Sequence, residues 1–382
     1  MRSETPRVAI TLTQCWHQVP GGTATSVQRL VDALSRTHQV QMVGVGARGD
    51  LRRPATWLKS TPPTDWKPPI ELLRMPLPVP LLYDAWTATD WPKIARRTGD
   101  IDLIHLTIPM RPPVEKTPLV ATVHDLFALT RPELMTSRGA KLMRTGLENI
   151  FDRAKRVMVP SQCVADDCVA AGVDPGRLRV VPWGVTPVEL TAESVEEVRA
   201  RYGLPDRYVL FVGTLEPRKN LSTLIRAMQK LAEPDLALVL VGPSGWGEAL
   251  GPMSGDGADS LGLNVMQLGF LPEEDLAALE RGAVAFCFPS LAEGFGLPVL
   301  EAMSAGAAVV TSLGTATAEV AGDGALLIDP LSVTDLAAAI ASLLSDAGLA
   351  AELRERGRKR SQLFTWQRSA ELTQEVYREV LE

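Results

Sequence analysis

A pair of adjacent cations follows one of the apolar runs in the second half of the chain. Arg218 and Lys219 stand side by side in TLEPRKN, directly after the run YVLFVG at 208–213. Two cations at the turn after a strand can neutralise a departing diphosphate without a metal ion. A solvated basic turn has the same composition, so the pair alone does not decide. Asn220 is expected to cap the helix that follows.

A glycine-rich turn flanked by two carboxylates forms a second group. The segment EGFGLPVLEAMSAG begins at Glu293 and enters a helix at Pro298 that is expected to end at Gly306. Such a turn offers backbone N–H groups and a positive dipole end to an anion, which predicts a phosphate site. Glu293 and Glu301 would repel a phosphate, so they are better placed to accept hydrogen bonds from hydroxyls. Taken separately, each could be an ordinary loop or first-turn acid.

The apolar runs that position these groups alternate with helical patterns, which is typical of βαβ units and parallel sheets. The alternation occurs twice, with six strand-like runs in residues 1–186 and six in the remainder. We therefore predict an α/β fold with two Rossmann-like domains, 1–186 and 187–365, followed by a helix at 366–382. Ligands bind at the carboxyl ends of such sheets, so the active site is expected between the domains.

Length, composition and charge are consistent with this organisation. The 382 residues exceed what one core usually holds, and 46% hydrophobic content is typical of a globular protein. The net charge of −6 argues against a nucleic-acid partner, but residues 1–186 carry 24 Lys and Arg against 17 Asp and Glu. The first half is thus basic and is expected to face an anionic partner. Four cysteines without a CxxC pair predict free thiols and no metal site.

Three segments are interpreted as non-catalytic or are left open. Residues 54–92 interrupt the alternation and contain four of the eight Trp among many prolines, which predicts a long loop, either functional or stiffened around a small apolar cluster. Asp100 and Asp102 spell a DxD pair, but they precede their strand, so we interpret them as a strand-entry turn. The glycine-rich GPSGWG (242–247) lacks the spacing of a dinucleotide site.

Several segments together resemble a known family. GTLEPRKN and EGFGLPVLEAMSAG, with VPWGV at the end of the first half and GPSGWG after LALVLV, closely resemble the retaining glycosyltransferases of family 4, which have the GT-B fold. The resemblance covers essentially the whole chain. It implies a metal-independent hexosyltransferase that uses a nucleotide sugar as co-substrate and needs no cofactor. It also implies that the helix at 366–382 packs back on the first domain.

The resemblance assigns roles to individual residues. Arg218 and Lys219 would hold the diphosphate, Glu293 would contact hydroxyls of the transferred sugar, and Glu301 would contact the nucleotide ribose. His124, just after the run PLVATV, would approach the donor sugar, although such a histidine could also simply bond a carbonyl. The other donor-binding positions implied are Gly21, Gly22, Gly213, Thr214, Gly294, Phe295, Gly296 and Leu297. Many family members have an arginine where this chain has Thr214, so either Arg218 supplies that charge or the donor differs.

Donor and acceptor are expected from weaker signals. Bacterial mannosyltransferases share the GTxEPRKN form, which favours GDP-mannose as donor and a glycan, lipid-linked or metabolite acceptor in polysaccharide biosynthesis. The basic segment 131–156, with Leu142, Met143 and Leu147, suggests a cytoplasmic protein whose first domain docks on the anionic inner face of a membrane; lack of binding to anionic liposomes at low salt would exclude this. A nucleotide-sugar epimerase of the same fold and a non-catalytic nucleotide-sugar sensor remain alternatives.

Overall fold

The computed structural model describes residues 5–16, 21–49, 66–114, 116–243 and 262–382. The chain forms two compact units: Val185–Phe364 is one, and Met1–Gly184 with Thr365–Glu382 is the other. We call the unit that contains the amino terminus unit 1 and Val185–Phe364 unit 2. Residues 244–247 of the segment GPSGWG lie outside the described residues.

The described part of unit 1 contains a seven-stranded parallel sheet. Its strands are β1 (Arg7–Thr11), β2 (Gln41–Gly46), β3 (Glu71–Arg74), β4 (Leu103–Leu106), β5 (Leu119–Thr122), β6 (Arg156–Val159) and β7 (Leu178–Val180). Its helices up to β7 are α1 (Gly22–Ser35), α2 (Val79–Ala88), α3 (Ala95–Thr98), α4 (Phe127–Thr130), α5 (Ser137–Arg153) and α6 (Gln162–Ala170). The strand order is β3-β2-β1-β4-β5-β6-β7.

The described part of unit 2 contains a six-stranded parallel sheet with the order β10-β9-β8-β11-β12-β13. The strands are β8 (Tyr208–Val212), β9 (Ala237–Val241), β10 (Val265–Gly269), β11 (Ala285–Phe288), β12 (Val309–Ser312) and β13 (Ala325–Ile328). The helices are α7 (Ala192–Arg201), α8 (Leu221–Leu231), α9 (Glu273–Gly282), α10 (Leu297–Ala305), α11 (Ala316–Ala321), α12 (Val333–Ser345) and α13 (Ala347–Ser361). The last helix of the chain, α14 (Trp366–Leu381), belongs to unit 1.

Both sheets reverse their strand order once, and this reversal fixes where a ligand can bind. In unit 1 the chain moves outward from β1 to β3 and then returns to β4 on the other side of β1. In unit 2 the same reversal lies between β8 and β11, which are neighbours in the sheet. The loops leaving the two central strands diverge there, so a crevice opens at their carboxyl ends, and ligands of open α/β sheets bind in that crevice.

The strands form where the sequence is apolar without alternation. Every residue of β8, β9 and β11 is buried, because helices cover both faces of a parallel sheet. Helix α14 covers part of the unit 1 sheet, where Val376 and Tyr377 pack on Val8, Leu103 and Met158.

The described part of unit 1 has one strand more than the six that the sequence predicts for residues 1–186. Residues 71–74 form the edge strand β3 beside β2, and residues 79–88 form α2, inside the segment predicted to be a long loop. Trp86 of that segment is buried, and its Nε1 donates to the carbonyl of Pro92 at 2.9 Å. The loop prediction is wrong for these residues because a four-residue edge strand carries too little apolar sequence to be distinguished from a loop. Residues 54–65 lie outside the described residues.

Helix α5 lies within segment 131–156, which the sequence suggests as a membrane-docking surface, but its apolar residues are not exposed as that proposal needs. Leu147 is fully buried in the core of unit 1, and Leu142 and Met143 pack against the same core. The apolar stripe of α5 therefore faces the protein interior, and Leu147 cannot contact a bilayer. Among the described residues no single helix is long and apolar enough to cross a membrane, although the bent pair Val333–Ser345 and Ala347–Leu381 passes the same test together.

Candidate active site

The reversal point of the unit 2 sheet brings the predicted cations and carboxylate together. Arg218 and Lys219 lie in a 3-10 helix, Pro217–Lys219, five residues beyond the end of β8. Glu293 lies in the turn that follows β11, the strand next to β8. The backbone also joins the two turns, since Leu291 N–H donates to the carbonyl of Arg218 at 2.9 Å. Residues 74 positions apart thus meet at one edge of the sheet.

Glu293 is shared by both cations. Its Oε2 lies 2.7 Å from Nη1 of Arg218, and its Oε1 lies 2.7 Å from Nζ of Lys219. Arg218 also donates through Nη1 to the carbonyl of Ala292 at 2.8 Å and through Nη2 to Glu216 at 2.6 Å. The four side chains carry two positive and two negative charges, so the cluster is neutral overall. Glu216 stands in the quoted motif, but sequence reasoning assigned it no role.

Burial makes this pairing strong. The side chains of Lys219 and Glu293 are 9% and 10% exposed, and Nζ of Lys219 lies 4.4 Å from the ring centre of Phe288. Burial alone would raise the pKa of Glu293, but Arg218 and Lys219 overcome it and hold that pKa at about 2. Burial, reinforced by Arg218, lowers the pKa of Lys219 even though Glu293 opposes the shift. The carboxylate of Glu293 is therefore ionised at any physiological pH.

Asn220 holds the turn in place in a way that the sequence did not predict. It occupies the N-cap position of α8, as predicted, but its side chain makes no cap hydrogen bond to the backbone of that helix. Its backbone is left-handed, with φ of 57°, and its Nδ2 donates to the carbonyls of Pro289 and Pro330 at 3.0 and 2.7 Å. The buried amide therefore ties the turn after β8 to the turns after β11 and β13.

The glycine-rich turn leads directly into α10. Gly296 precedes the helix with φ of 107°, and a Cβ at this position would lie 2.6 Å from Cγ2 of Thr317. Thr317 cannot yield easily, because it is fully buried and its hydroxyl bonds those of Thr311 and Thr315. Only glycine fits this position. The helix ends before Gly306, as predicted.

The amino-terminal end of α10, with the turn before it, is the place where the sequence predicts an anion site. Leu297 and Pro298 open it, and the turn Gly294–Gly296 precedes it. Phe295 is 2% exposed and packs edge-on against Phe364, so its side chain is a core anchor for the turn and only its backbone remains for a ligand.

Glu301 is half-buried farther along α10. Burial and the nearby Glu301 raise the pKa of Glu280 on α9 well above its ordinary value.

The remaining residues predicted near the donor in unit 2 lie in the turn that follows β8. Gly213 has φ of 150°, and a Cβ built on it would lie 3.6 Å from Cε of Lys219. A Cβ on the neighbouring Gly242, which follows β9, would lie 2.3 Å from the carbonyl oxygen of Gly213. Thr214 is half-buried next to Gly213. That Arg218 supplies the charge of an arginine at position 214, or that the donor differs, both stay predictions.

His124 lies at the corresponding edge of the unit 1 sheet, two residues beyond β5. Its Nε2 bonds the carbonyl of Thr107 at 2.7 Å, which is the arrangement expected of a strand-end histidine that bonds a carbonyl. Burial lowers the pKa of His124 to about 4, so the ring is neutral at physiological pH. Its ring centre lies 5.3 Å from that of Trp183. A role for His124 toward the donor sugar stays a prediction.

The glycine pair of unit 1 opens a full-length helix. Gly22 is the first residue of α1, and Gly21 precedes it without a side-chain cap. Among the described residues no atom lies within 4 Å of a Cβ built on Gly21. The two glycines thus lie at a helix start, as the sequence predicts. Asp102, of the DxD pair, accepts from the backbone N–H of Arg7 at 2.9 Å at the entry to β4.

Two family models match the chain over most of its length. The family described as "Glycosyl transferases group 1" matches residues 194–360, and "Glycosyltransferase Family 4" matches residues 20–189.

Two relatives of this chain are mannosyltransferases of Escherichia coli. The chain is 32% identical over 266 residues to the O-antigen chain mannosyltransferase B of Escherichia coli, covering 68% of this chain and 70% of that protein. It is also 32% identical over 246 residues to the serotype-specific mannosyltransferase WbdA of Escherichia coli, covering 61% of this chain but only 30% of that much longer protein.

The fold also matches a solved structure along the whole chain. The Anabaena protein HepE in complex with UDP and glucose superposes with a TM-score of 0.74 at 18% identity, covering 98% of this chain and 100% of that one. The fold is therefore GT-B. The chain belongs to glycosyltransferase family 4, a family of retaining, metal-independent glycosyltransferases that transfer a sugar from a nucleotide sugar.

Proposed function

We propose that this enzyme transfers mannose from GDP-mannose to a hydroxyl of a glycan or lipid-linked acceptor, with retention at the anomeric carbon. The cluster of Arg218, Lys219 and Glu293 beside the start of α10 is the observation that carries the proposal. It combines cations, an ionised carboxylate and helix-start amides in one crevice, which suits a ligand that carries both a diphosphate and a sugar. Mannose is favoured because both relatives described above are mannosyltransferases.

The electrostatics of the cluster suggest how the diphosphate is bound. Arg218 and Lys219 are already neutralised by Glu216 and Glu293, so they add little free positive charge. The positive dipole end of α10, with the backbone N–H of Leu297, then provides the primary anion site, since Pro298 has no N–H and those of Val299 and Leu300 donate to the carbonyl of Gly296. The cations gain their effect as negative charge develops on the leaving diphosphate, when their N–H donors shift toward it. Glu293 is then free to accept hydrogen bonds from sugar hydroxyls.

The reaction proposed is a front-face substitution. The bond between the anomeric carbon and the diphosphate oxygen breaks, and the acceptor oxygen forms its bond to the same face of that carbon. The acceptor proton passes to the departing diphosphate, so nucleoside diphosphate leaves with the electron pair of the broken bond. Arg218, Lys219 and the helix-start amides stabilise that charge. No protein carboxylate has to act as nucleophile.

The direct test is transfer by the purified full chain. GDP-mannose and UDP-glucose are each supplied with and without a mannose-terminated oligosaccharide, and nucleoside diphosphate release and the anomeric configuration of the product are measured. We expect α-linked product from GDP-mannose only when acceptor is present. If product forms with UDP-glucose but not with GDP-mannose, the donor assignment is wrong. Conversion of the nucleotide sugar in the absence of acceptor would favour the epimerase alternative.

The same assay tests the cluster. We expect Arg218→Ala and Lys219→Ala to lower turnover about 100-fold or more, as loss of a charge-stabilising donor does in other enzymes. Arg201→Ala is the matched control, because Arg201 also pairs with a carboxylate in unit 2, that of Asp275 at 2.8 Å, on the surface helix α7. Wild-type turnover in both cluster variants would refute the assignment.

A further inference from the structure

The reversal point of the unit 1 sheet holds a buried polar cluster centred on Thr107. Thr107 follows β4 directly, and Gln14 lies in the 3-10 helix Thr13–Trp16 that follows β1. His124 follows β5. All three are at least nine-tenths buried: Thr107 is 0%, Gln14 4% and His124 6% exposed. Three neighbouring strands therefore deliver these side chains to the crevice where open α/β sheets bind their ligands.

The hydrogen bonds of Thr107 fix the orientation of the Gln14 amide. The Thr107 hydroxyl donates its single hydrogen to the carbonyl of Thr11. It can then only accept from Gln14, whose side-chain amide lies 2.7 Å away. The NH₂ group of Gln14 must face Thr107, and Oε1 must be the outer atom. The Thr107 backbone N–H, which donates to Oγ1 of Thr11 at 3.0 Å, holds the arrangement in place.

The same residue fixes the tautomer of His124. The carbonyl of Thr107 can only accept, so Nε2 of His124 carries the hydrogen of their 2.7 Å bond. The ring is neutral, which leaves Nδ1 as a bare acceptor. Among the described residues neither Nδ1 of His124 nor Oε1 of Gln14 has a hydrogen-bond partner. Two buried acceptors are thus fixed on either side of Thr107.

These two atoms define the chemistry of a ligand. Each offers only lone pairs, so neither can bind the oxygen of a phosphate or carboxylate. Each is buried, and a buried acceptor is satisfied only by a donor. Neutral hydroxyl groups, as on a sugar, donate and carry no charge. Trp183, whose ring lies beside His124, adds an aromatic surface of the kind that sugars pack against.

We propose that Gln14 is a sugar-recognising residue, and that its Oε1 and Nδ1 of His124 accept hydrogen bonds from hydroxyls of one sugar residue. This inference rests on the proposed function, and extends it to a residue that no sequence motif indicates. The sugar is either that of the nucleotide sugar or that of the acceptor. The chemistry is the same for both, and the binding experiment distinguishes them.

Isothermal titration of the full chain tests the proposal. The probes are GDP-mannose and UDP-glucose, each compared with its sugar-free nucleotide, and methyl α-mannoside. We expect Gln14→Leu, which keeps the size and removes the acceptor, to weaken binding of a sugar-bearing probe about fivefold or more. Weaker binding of a nucleotide sugar without any change for its free nucleotide identifies the donor sugar, and weaker binding of methyl α-mannoside alone identifies the acceptor sugar.

Two further sets of variants separate recognition from structure. Gln28→Leu is the matched control, because Gln28 lies on α1 nearby and its Nε2 donates to the backbone carbonyl of Cys15 at 3.1 Å; we expect wild-type binding. Thr107→Val removes the hydroxyl that orients Gln14 and keeps the carbonyl that bonds His124. Thr107→Val is expected to weaken sugar binding, whereas Thr107→Ser, which keeps the hydroxyl, is expected to bind sugar like the wild type. This pair of variants tests the role of Gln14 if Gln14→Leu does not fold.

The outcomes that overturn the proposal differ from those that overturn the function. Binding by Gln14→Leu within twofold of wild type for every probe, or an equal loss for free nucleotides and nucleotide sugars, refutes the role of Gln14 while transfer by the wild type still stands. A wild-type chain that binds none of the probes and transfers no sugar refutes both.

Discussion

At the scale of single residues, the chain places its charges where burial makes them effective. Glu293 is 10% exposed and takes one short ion pair from each of two cations, whereas Glu379 on the surface of unit 1 takes its pairs from Arg156 and Arg179 at 36% exposure. Both carboxyls have a lowered pKa. Water screens the exposed pair but not the buried one, so only Glu293 should control stability.

This contrast predicts the acid limb of the stability curve. The pKa of Glu293 is about 2 in the folded chain and ordinarily 4.5, so below pH 4.5 the unfolded state binds more protons, and stability is lost as the pH falls toward 2. The full loss is about 3 kcal/mol. Urea unfolding between pH 5 and pH 3 should show a shallower pH dependence in Glu293→Gln than in the wild type.

Glu379→Gln is the control for that experiment, because the same chemical change is made at a carboxylate that also contacts two arginines. Its pH dependence should stay close to that of the wild type. A wild-type curve no steeper than that of Glu293→Gln would mean that the buried pairs do not form in solution.

At the scale of the elements, turn conformation decides whether the crevice of unit 2 forms at all. The turn before α10 passes so close to Thr317 that it excludes a side chain, and the turn after β8 is held by a left-handed Asn220. Both turns connect a buried strand to a helix. Backbone geometry therefore positions the groups that we propose to be catalytic, among them Arg218 and Lys219.

Gly296→Ala tests this dependence. The new Cβ would lie 2.6 Å from Cγ2 of Thr317, at a φ of 107° that alanine disfavours, and we expect about 2 to 4 kcal/mol of destabilisation together with a strong loss of transfer. Gly314→Ala is the matched control, because Gly314 has φ of 68° and, among the described residues, no atom lies within 4 Å of its added Cβ. It should cost about 1 to 2 kcal/mol from backbone strain alone, with transfer retained. Equal effects in urea unfolding and activity would contradict the steric argument.

At the scale of the whole molecule, the last helix, α14, packs into the core of unit 1, which the first half of the chain forms. Tyr377 of α14 is buried, and its hydroxyl lies 2.7 Å from Nδ1 of His105 in β4, while Nε2 of His105 lies 2.8 Å from the hydroxyl of Thr122. Burial lowers the pKa of His105 to about 3, so the ring is neutral. Residues 272 positions apart thus satisfy one another inside unit 1.

Tyr377→Phe should show how much unit 1 depends on this contact. Removing the hydroxyl leaves a buried imidazole nitrogen unpaired, which we expect to cost about 1 to 3 kcal/mol in urea unfolding. Tyr202→Phe makes the same change in unit 2, where the hydroxyl that bonds Asp275 at 2.6 Å is only half-buried and water can replace it. A Tyr377→Phe variant as stable as the Tyr202→Phe variant would mean that His105 finds another partner.

Local sequence was sufficient for most strands, several helix starts and the glycine-rich turn before α10. Long apolar runs without alternation mark buried parallel strands, and the Gly-rich turns and Gly306 mark helix ends by their chemistry alone. The charged motifs could be assigned to strand ends because parallel strands all place their carboxyl ends on one edge. Where the local signal was short, as in β3, the sequence interpretation was wrong, and at Asn220 it gave the N-cap position but not the hydrogen bonds of the side chain.

The tertiary structure decided what no local pattern contains, which is the partners of each polar group. Sequence shows that Arg218 and Lys219 are cations, but only the adjacency of β8 and β11 shows that Glu293 neutralises both. Sequence gives Gln14 and Thr107 no distinguishing motif. They become a candidate sugar site because β1 and β4 are neighbours in the sheet, and hydrogen bonds between residues 93 positions apart fix which atoms remain to bind a ligand.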